Sequence, residues 1–144
     1  PCLPSSPDGA CLRLNLVRSA TNLIAGTVGF GDDTFDWLFT CHLLEHLPDP
    51  RAAILEWLRV VKPRGHVCII LPDTTFTLAQ NTDPTPHCFE WTPRAFAQDV
   101  LGFVTPHDTP WWQLRGPLGW CAAEVVHFDE ACPQWSFGCV LRKT

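Results

Sequence analysis

The residues best placed by type and spacing to do chemistry lie in CHLLEHLPDP, positions 41 to 50. His42, Glu45 and His46 form H-x-x-E-H, the spacing with which inverted zinc metallopeptidases present two zinc ligands and a general base. Such a centre needs both histidines one turn apart on one helix, a third ligand from a later helix and an open coordination position. The flanks refuse that helix. Pro48 and Pro50 follow at once, the residue before a proline is pushed out of helical geometry, and strand-like FDWLFT (35–40) runs into Cys41. At most one turn fits, and the later glutamates Glu56, Glu90, Glu124 and Glu130 lie in no second long helix. A zinc hydrolase through His42-x-x-Glu45-His46 is therefore a remote alternative. Two histidines at a strand end, satisfied by local hydrogen bonds, is the plainer reading.

The elements that must position this stretch can be read on either side of it. Residues 1–10 are rich in Pro, Ser and Gly and read as an irregular lead-in. CLRLNLV (11–17) and NLIAGTV (22–28) are short β-compatible runs, GFGDDT breaks the chain, and FDWLFT follows as a buried strand. Asp49 as N-cap and Pro50 at the first helical position start a helix through RAAILEWLRVV, with Ala53, Ile54, Trp57, Leu58 and Val61 along one face. KPRG is expected to close it, with Lys62 in the last turn and Gly65 after it. HVCIILP (66–72) is apolar without alternation, the mark of a strand covered on both faces. A polar loop leads to a second helix, capped by Thr92 with Pro93 at its first position, through RAFAQDVLGF. After a loop with Trp111, Trp112 and Trp120, EVVHFDE and WSFGCVLRK read as a hairpin. The order argues α/β: a Rossmann-like, mostly parallel sheet with helices on both faces and a C-terminal antiparallel hairpin.

The 144 residues are expected to form a single domain, 1–144. A hydrophobic fraction of 46%, a charged fraction of 17% and a net charge of −5 describe ordinary globular material. No apolar run reaches the roughly 20 residues of a spanning helix, so no membrane partner is expected. The ten Lys and Arg are scattered, which disfavours nucleic acid. The eight cysteines include no C-x-x-C pair, and several sit inside apolar runs, so reduced thiols in a cytoplasmic protein are expected. A chain that starts at Pro1 and holds no Met is expected to be a processed product or a fragment.

Read as one unit, FDWLFTCHLLEHLPDPRAAILEWLRVVKPRGHVCIILPD resembles the second half of a class I S-adenosylmethionine-dependent methyltransferase of the small-molecule branch. That family commonly shows an acidic, Phe-containing segment, a strand ending in an LEH turn, a D-P-capped helix, an R-V-L-K-P-G-G turn and a strand ending in Pro. Here these are FGDDTFD (30–36), LEHLPDP (44–50), RVVKPRG (59–65) and HVCIILPD (66–73). The resemblance covers roughly 22–144.

It implies S-adenosyl-L-methionine as cofactor and methyl transfer to a small-molecule acceptor. Thr40, Cys41 and His42 would line the place that holds the methionine part, beyond the carboxyl end of a strand. Ala25 and Gly26 would face the adenine. His46 is the candidate base where the acceptor must lose a proton. His87 and His107 are further candidates, with solvated loop histidines the favoured reading, and the three tryptophans would roof an acceptor or close the core. The family's first strand and its E/D-x-G-x-G turn have no match, since DGA at 8–10 holds a single glycine; Ile24 and Arg64 stand where an acidic residue and a second glycine are usual. A non-catalytic methyltransferase-like binding or assembly domain is the alternative. A sheet without its first strand should dimerise or cover the open edge with its own N-terminal segment.

Overall fold

The computed structural model describes residues 11–14, 29–77, 87–104, 109–131 and 135–144. They build one six-stranded sheet. In chain order the elements are β1 (Cys11–Leu14), β2 (Phe35–Cys41), α1 (Pro50–Val60), β3 (Val61–Pro72), α2 (Thr74–Thr77), α3 (Pro93–Asp99), β4 (Gly116–Pro117), β5 (Ala123–Ala131) and β6 (Ser136–Lys143). Across the sheet the order is β1-β2-β3-β6-β5-β4. The pairings β1–β2 and β2–β3 are parallel, while β3–β6, β5–β6 and β4–β5 are antiparallel. The α/β reading holds, with the parallel part confined to the three N-terminal strands. The edge expected to lack a neighbour is paired by the chain's own N-terminal segment, Cys11–Leu14 lying alongside Trp37–Thr40.

α1 starts where its sequence signals say. Asp49 is extended, its Oδ1 accepts from the Ala52 N–H at 2.9 Å, and Pro50 spends its missing donor where none is needed. It ends earlier than KPRG predicts: Val61 is already extended, and its N–H closes on the Trp57 carbonyl. The cause is local. Val61 is β-branched, Lys62 precedes a proline and is disfavoured in helical geometry, and its ammonium reaches the Asp36 carboxylate at 3.0 Å, leaving the helix end to Arg59. Lys62–Gly65 bulge out of the ladder, since Phe35 pairs with Val61 but Trp37 with His66. α3 likewise stops short of its apolar run. Thr92 Oγ1 caps it from Ala95 N–H at 3.2 Å, and left-handed Gly102 ends it, with Phe103 N–H bonding back to the Ala97 carbonyl.

One core results. It takes alternate residues of β3 (Val67, Ile69, Leu71), the faces of α1 and α3, and the inner side of β5 and β6. Phe96, Phe128 and Phe137 stack within 5.6 to 6.4 Å of one another, each fully enclosed. Of the two helical layers expected, the described residues supply this one. Trp111 packs edge-on to Phe128, and Trp120 donates to the Leu101 carbonyl and receives the Arg51 guanidinium over its ring, so both close the core. Cys88, Cys121 and Cys139 are free thiols. No helix among the described residues is long and apolar enough to cross a membrane.

Candidate active site at the strand ends

Burial of polar groups is costly unless they are engaged, so their distribution locates function. Among the described residues the buried polar or charged side chains are Thr40, Glu45, Asp73, Thr74 and Ser136. All five lie at one end of the sheet, where β2 and β3 finish and β6 begins. In an open α/β sheet that carboxyl end is where ligands bind.

β2 delivers the chain to this rim. Thr40 lies on the core side with Leu38; its Oγ1 is enclosed and has no hydrogen-bond partner among the described residues. Cys41, on the opposite side, is half-buried. His42 then takes φ +50°, a left-handed conformation uncommon outside glycine. The turn is held by its own N–H on the Ile70 carbonyl at 2.9 Å. Its imidazole crosses the end of β3, with Nε2 3.0 Å from Ser136 Oγ, and stands edge-on to the Trp135 ring at 5.0 Å. Asp73 closes the same rim: its N–H donates to the Trp135 carbonyl, and its Oδ1 accepts from Thr75 N–H at 2.9 Å, starting the short α2. The sequence reading missed Asp73, Trp135 and Ser136. Asp73 follows the apolar run HVCIILP directly, which is a usable signal, whereas Ser136 is joined to His42 only by the β3–β6 pairing.

His46 goes elsewhere. After fully buried Leu43 and Leu44, one 3-10 turn, Leu44–His46, is all the helix there is. Its Glu45 side chain is 2% exposed and that of His46 4%, with Nε2 and Oε1 3.8 Å apart. The incoming segment 87–89 packs on this turn. Cys88 and Phe89 N–H both donate to the Glu45 carbonyl, at 2.8 and 3.0 Å, and Cys88 Sγ–H donates to the His46 carbonyl. The His87 ring meets that of His46 edge-on at 4.7 Å. Ligand atoms of Glu45, His46 and His87 all lie within 4.8 Å of one another.

The remote zinc alternative grouped His42 with Glu45 and His46; the left-handed turn sends His42 to Ser136, and it does not join that cluster. One expectation is corrected. His87, read as a solvated loop histidine, is half-buried against His46. Thr40, Cys41 and His42 stand together at the end of β2. Ala25, Gly26, Ile24 and His107 lie outside the described residues. Arg64, in place of the usual glycine, adopts φ +68° at the opposite end of the sheet.

The rim offers a nucleoside-type cofactor an enclosed hydroxyl, a strained turn and main chain at a strand end.

Comparison with known proteins yields one reading of this arrangement. A methyltransferase domain family model matches residues 12–69. An uncharacterized methyltransferase of Schizosaccharomyces pombe is 54% identical over 117 residues, 75% of this chain, and the chain spans 37% of that relative's length. A methyltransferase dependent on S-adenosylmethionine from Thermotoga maritima, described as a possible histamine N-methyltransferase, superposes over 96% of this chain and 84% of its own. Its TM-score is 0.59 and its identity 10%. Another such methyltransferase, from Aquifex aeolicus, covers 83% of this chain and 51% of its own, with TM-score 0.54 and identity 18%.

Proposed function

We propose, from the methyltransferase family match over residues 12–69 and the relative that is 54% identical over 117 residues, that this chain is a class I S-adenosylmethionine-dependent methyltransferase whose residues 1–144 form one cytoplasmic domain that helps transfer a methyl group to a small-molecule acceptor. The observation that carries the reading is the gathering of every described buried polar side chain at the carboxyl ends of β2 and β3.

When bound, S-adenosyl-L-methionine supplies the methyl group on a sulfonium, which is already a good leaving group. The protein's task is then alignment and exclusion of water. The main chain of Thr40, Cys41 and His42 is the holder of the methionine part, with the His42 turn pre-set by its bonds to Ile70 and Ser136. Ala25 and Gly26 keep the adenine-facing role carried by the resemblance. His46 is the group that handles the acceptor's proton, with its Nε2 3.8 Å from the enclosed Glu45 carboxylate. The exposed rings of Trp135 and Phe76 flank the rim and suit an acceptor with an apolar face. Scattered cations support neither nucleic acid nor membrane as partner. Free thiols suit a reducing compartment. Among the described residues β1 is the edge strand of the sheet, and a homodimer, if formed, uses that edge.

A second reading is favoured by Ile24 and Arg64, which stand where the family usually has an acidic residue and a glycine: a methyltransferase-like domain that binds or assembles without catalysis. Isothermal titration with S-adenosylmethionine and S-adenosylhomocysteine separates the two. Saturable heat with one site per chain is expected; no heat and no thermal shift at millimolar cofactor sinks the enzymatic reading for this chain.

A further inference from the structure

We propose that Glu45, His46 and His87 bind a divalent metal ion of the zinc class, a site distinct in its residues from the one the H-x-x-E-H spacing suggests. The side chains converge from two segments far apart in sequence, and their ligand atoms lie within 4.8 Å of one another, with Glu45 Oε1 and His46 Nε2 at 3.8 Å. Two donors on a tetrahedral ion, each about 2.0–2.2 Å from it, stand roughly 3.4 Å apart. Rotamer adjustments of about 1 Å or less therefore close the set. The two segments are fastened to each other around the ion position, through Cys88 and Phe89 N–H on the Glu45 carbonyl and Cys88 Sγ–H on that of His46. That outer bonding is of the kind that holds metal ligands in orientation.

The donor chemistry selects the ion. Two imidazoles and one carboxylate suit zinc and its first-row neighbours, whereas magnesium and calcium require six or more oxygens. Three protein ligands leave a fourth position open, to water or to an oxygen or nitrogen of an acceptor. Ion binding itself is independent of methyl transfer. If both occur, His46 acts as a ligand, and the ion in place of the bare imidazole promotes loss of the acceptor's proton.

The test uses the whole chain, stripped with a chelator and titrated with Zn²⁺ against a chromophoric competitor, with no cofactor present, so its failure and that of the methyltransferase reading are separable. One ion per chain is expected. His87→Gln and Glu45→Gln should each weaken binding a hundredfold or more, while His127→Ala, an exposed histidine on β5, should leave it unchanged. The visible bands of bound Co²⁺ should report four-coordination in the wild type and be lost in His87→Gln. Circular dichroism checks that each variant folds, and His87→Gln, at a half-buried position, guards against failure of the more enclosed Glu45→Gln. Sub-stoichiometric binding, or binding indifferent to both substitutions, means an adventitious ion only and overturns the proposal.

Discussion

The two ends of the sheet use the same backbone device for different purposes. At the amino end of β2, Asp33 and Arg64 hold φ of +52° and +68°; at the carboxyl end His42 holds +50°. Around the first pair the charges meet partners at the surface: Arg59 with Asp32 and Glu56, Lys62 with Asp36, Lys143 with Asp33. Exposed pairs of that kind are screened by solvent and add little to stability. They pin the FGDDTFD segment, helped by Asp33 and Thr34 N–H on the Arg59 and Val60 carbonyls. Around His42 the polar groups are enclosed. Strain by itself therefore marks no site; strain together with buried polar convergence does.

The largest effect that should separate the two ends comes from Gly65. A Cβ there would stand 2.5 Å from Val61 Cγ1 and 2.7 Å from the Asp36 carbonyl, both inside contact distance. Gly65→Ala should cost about 1–3 kcal/mol in denaturant unfolding, with cofactor affinity of the folded fraction intact. A loss of affinity without loss of stability would break the division between the ends. Next, His42→Gly relieves the left-handed turn while removing the Ser136 contact. It should lower S-adenosylhomocysteine affinity about tenfold, or 1.4 kcal/mol, with the unfolding midpoint held or raised. Arg64→Gly, its counterpart, should raise stability by up to about 1 kcal/mol, because the αL conformation costs a non-glycine residue more than glycine's added freedom gives back. It should leave affinity alone.

The smallest effect is in pH. Burial, and then the nearby Arg142 guanidinium, hold the His66 imidazole below its usual range. The unfolded chain, titrating near 6.5, takes up that proton at a higher pH than the folded one. This contribution to stability is therefore present above that value and falls away as pH drops through it. His66→Gln, which keeps a polar side chain against Trp37, should flatten the slope of unfolding free energy between pH 7 and about 5.5; an unchanged slope would assign the effect to other groups.

What could be read from the sequence was local. Asp49-Pro50 and Thr92-Pro93 announce their helices because capping acts within three residues, and FDWLFT and HVCIILP announce strands because apolar runs of that length have few other uses. Helix ends were less legible: KPRG looks like a stop signal, yet Lys62 had a better partner in Asp36, 26 residues away in the chain. The rim was legible in part. Thr40 to His42 follow from the end of β2, but Ser136 reaches His42 only through the antiparallel pairing of β6, and His87 reaches His46 only by tertiary packing. No spacing rule encodes either, and H-x-x-E-H pointed to the wrong histidine because the left-handed turn at His42 is invisible in a pattern.

The central claim is that the main chain leaving the Trp37 strand receives the sulfonium nucleoside. Amide chemical-shift mapping on isotope-labelled protein with S-adenosylhomocysteine tests it most directly. The account predicts saturable shifts at Thr40, Cys41 and His42, spreading to Ile70 and Ser136, with Asp33 and Arg64 unmoved. Shifts confined to the Asp33–Arg64 end, or none at saturating ligand, would contradict it.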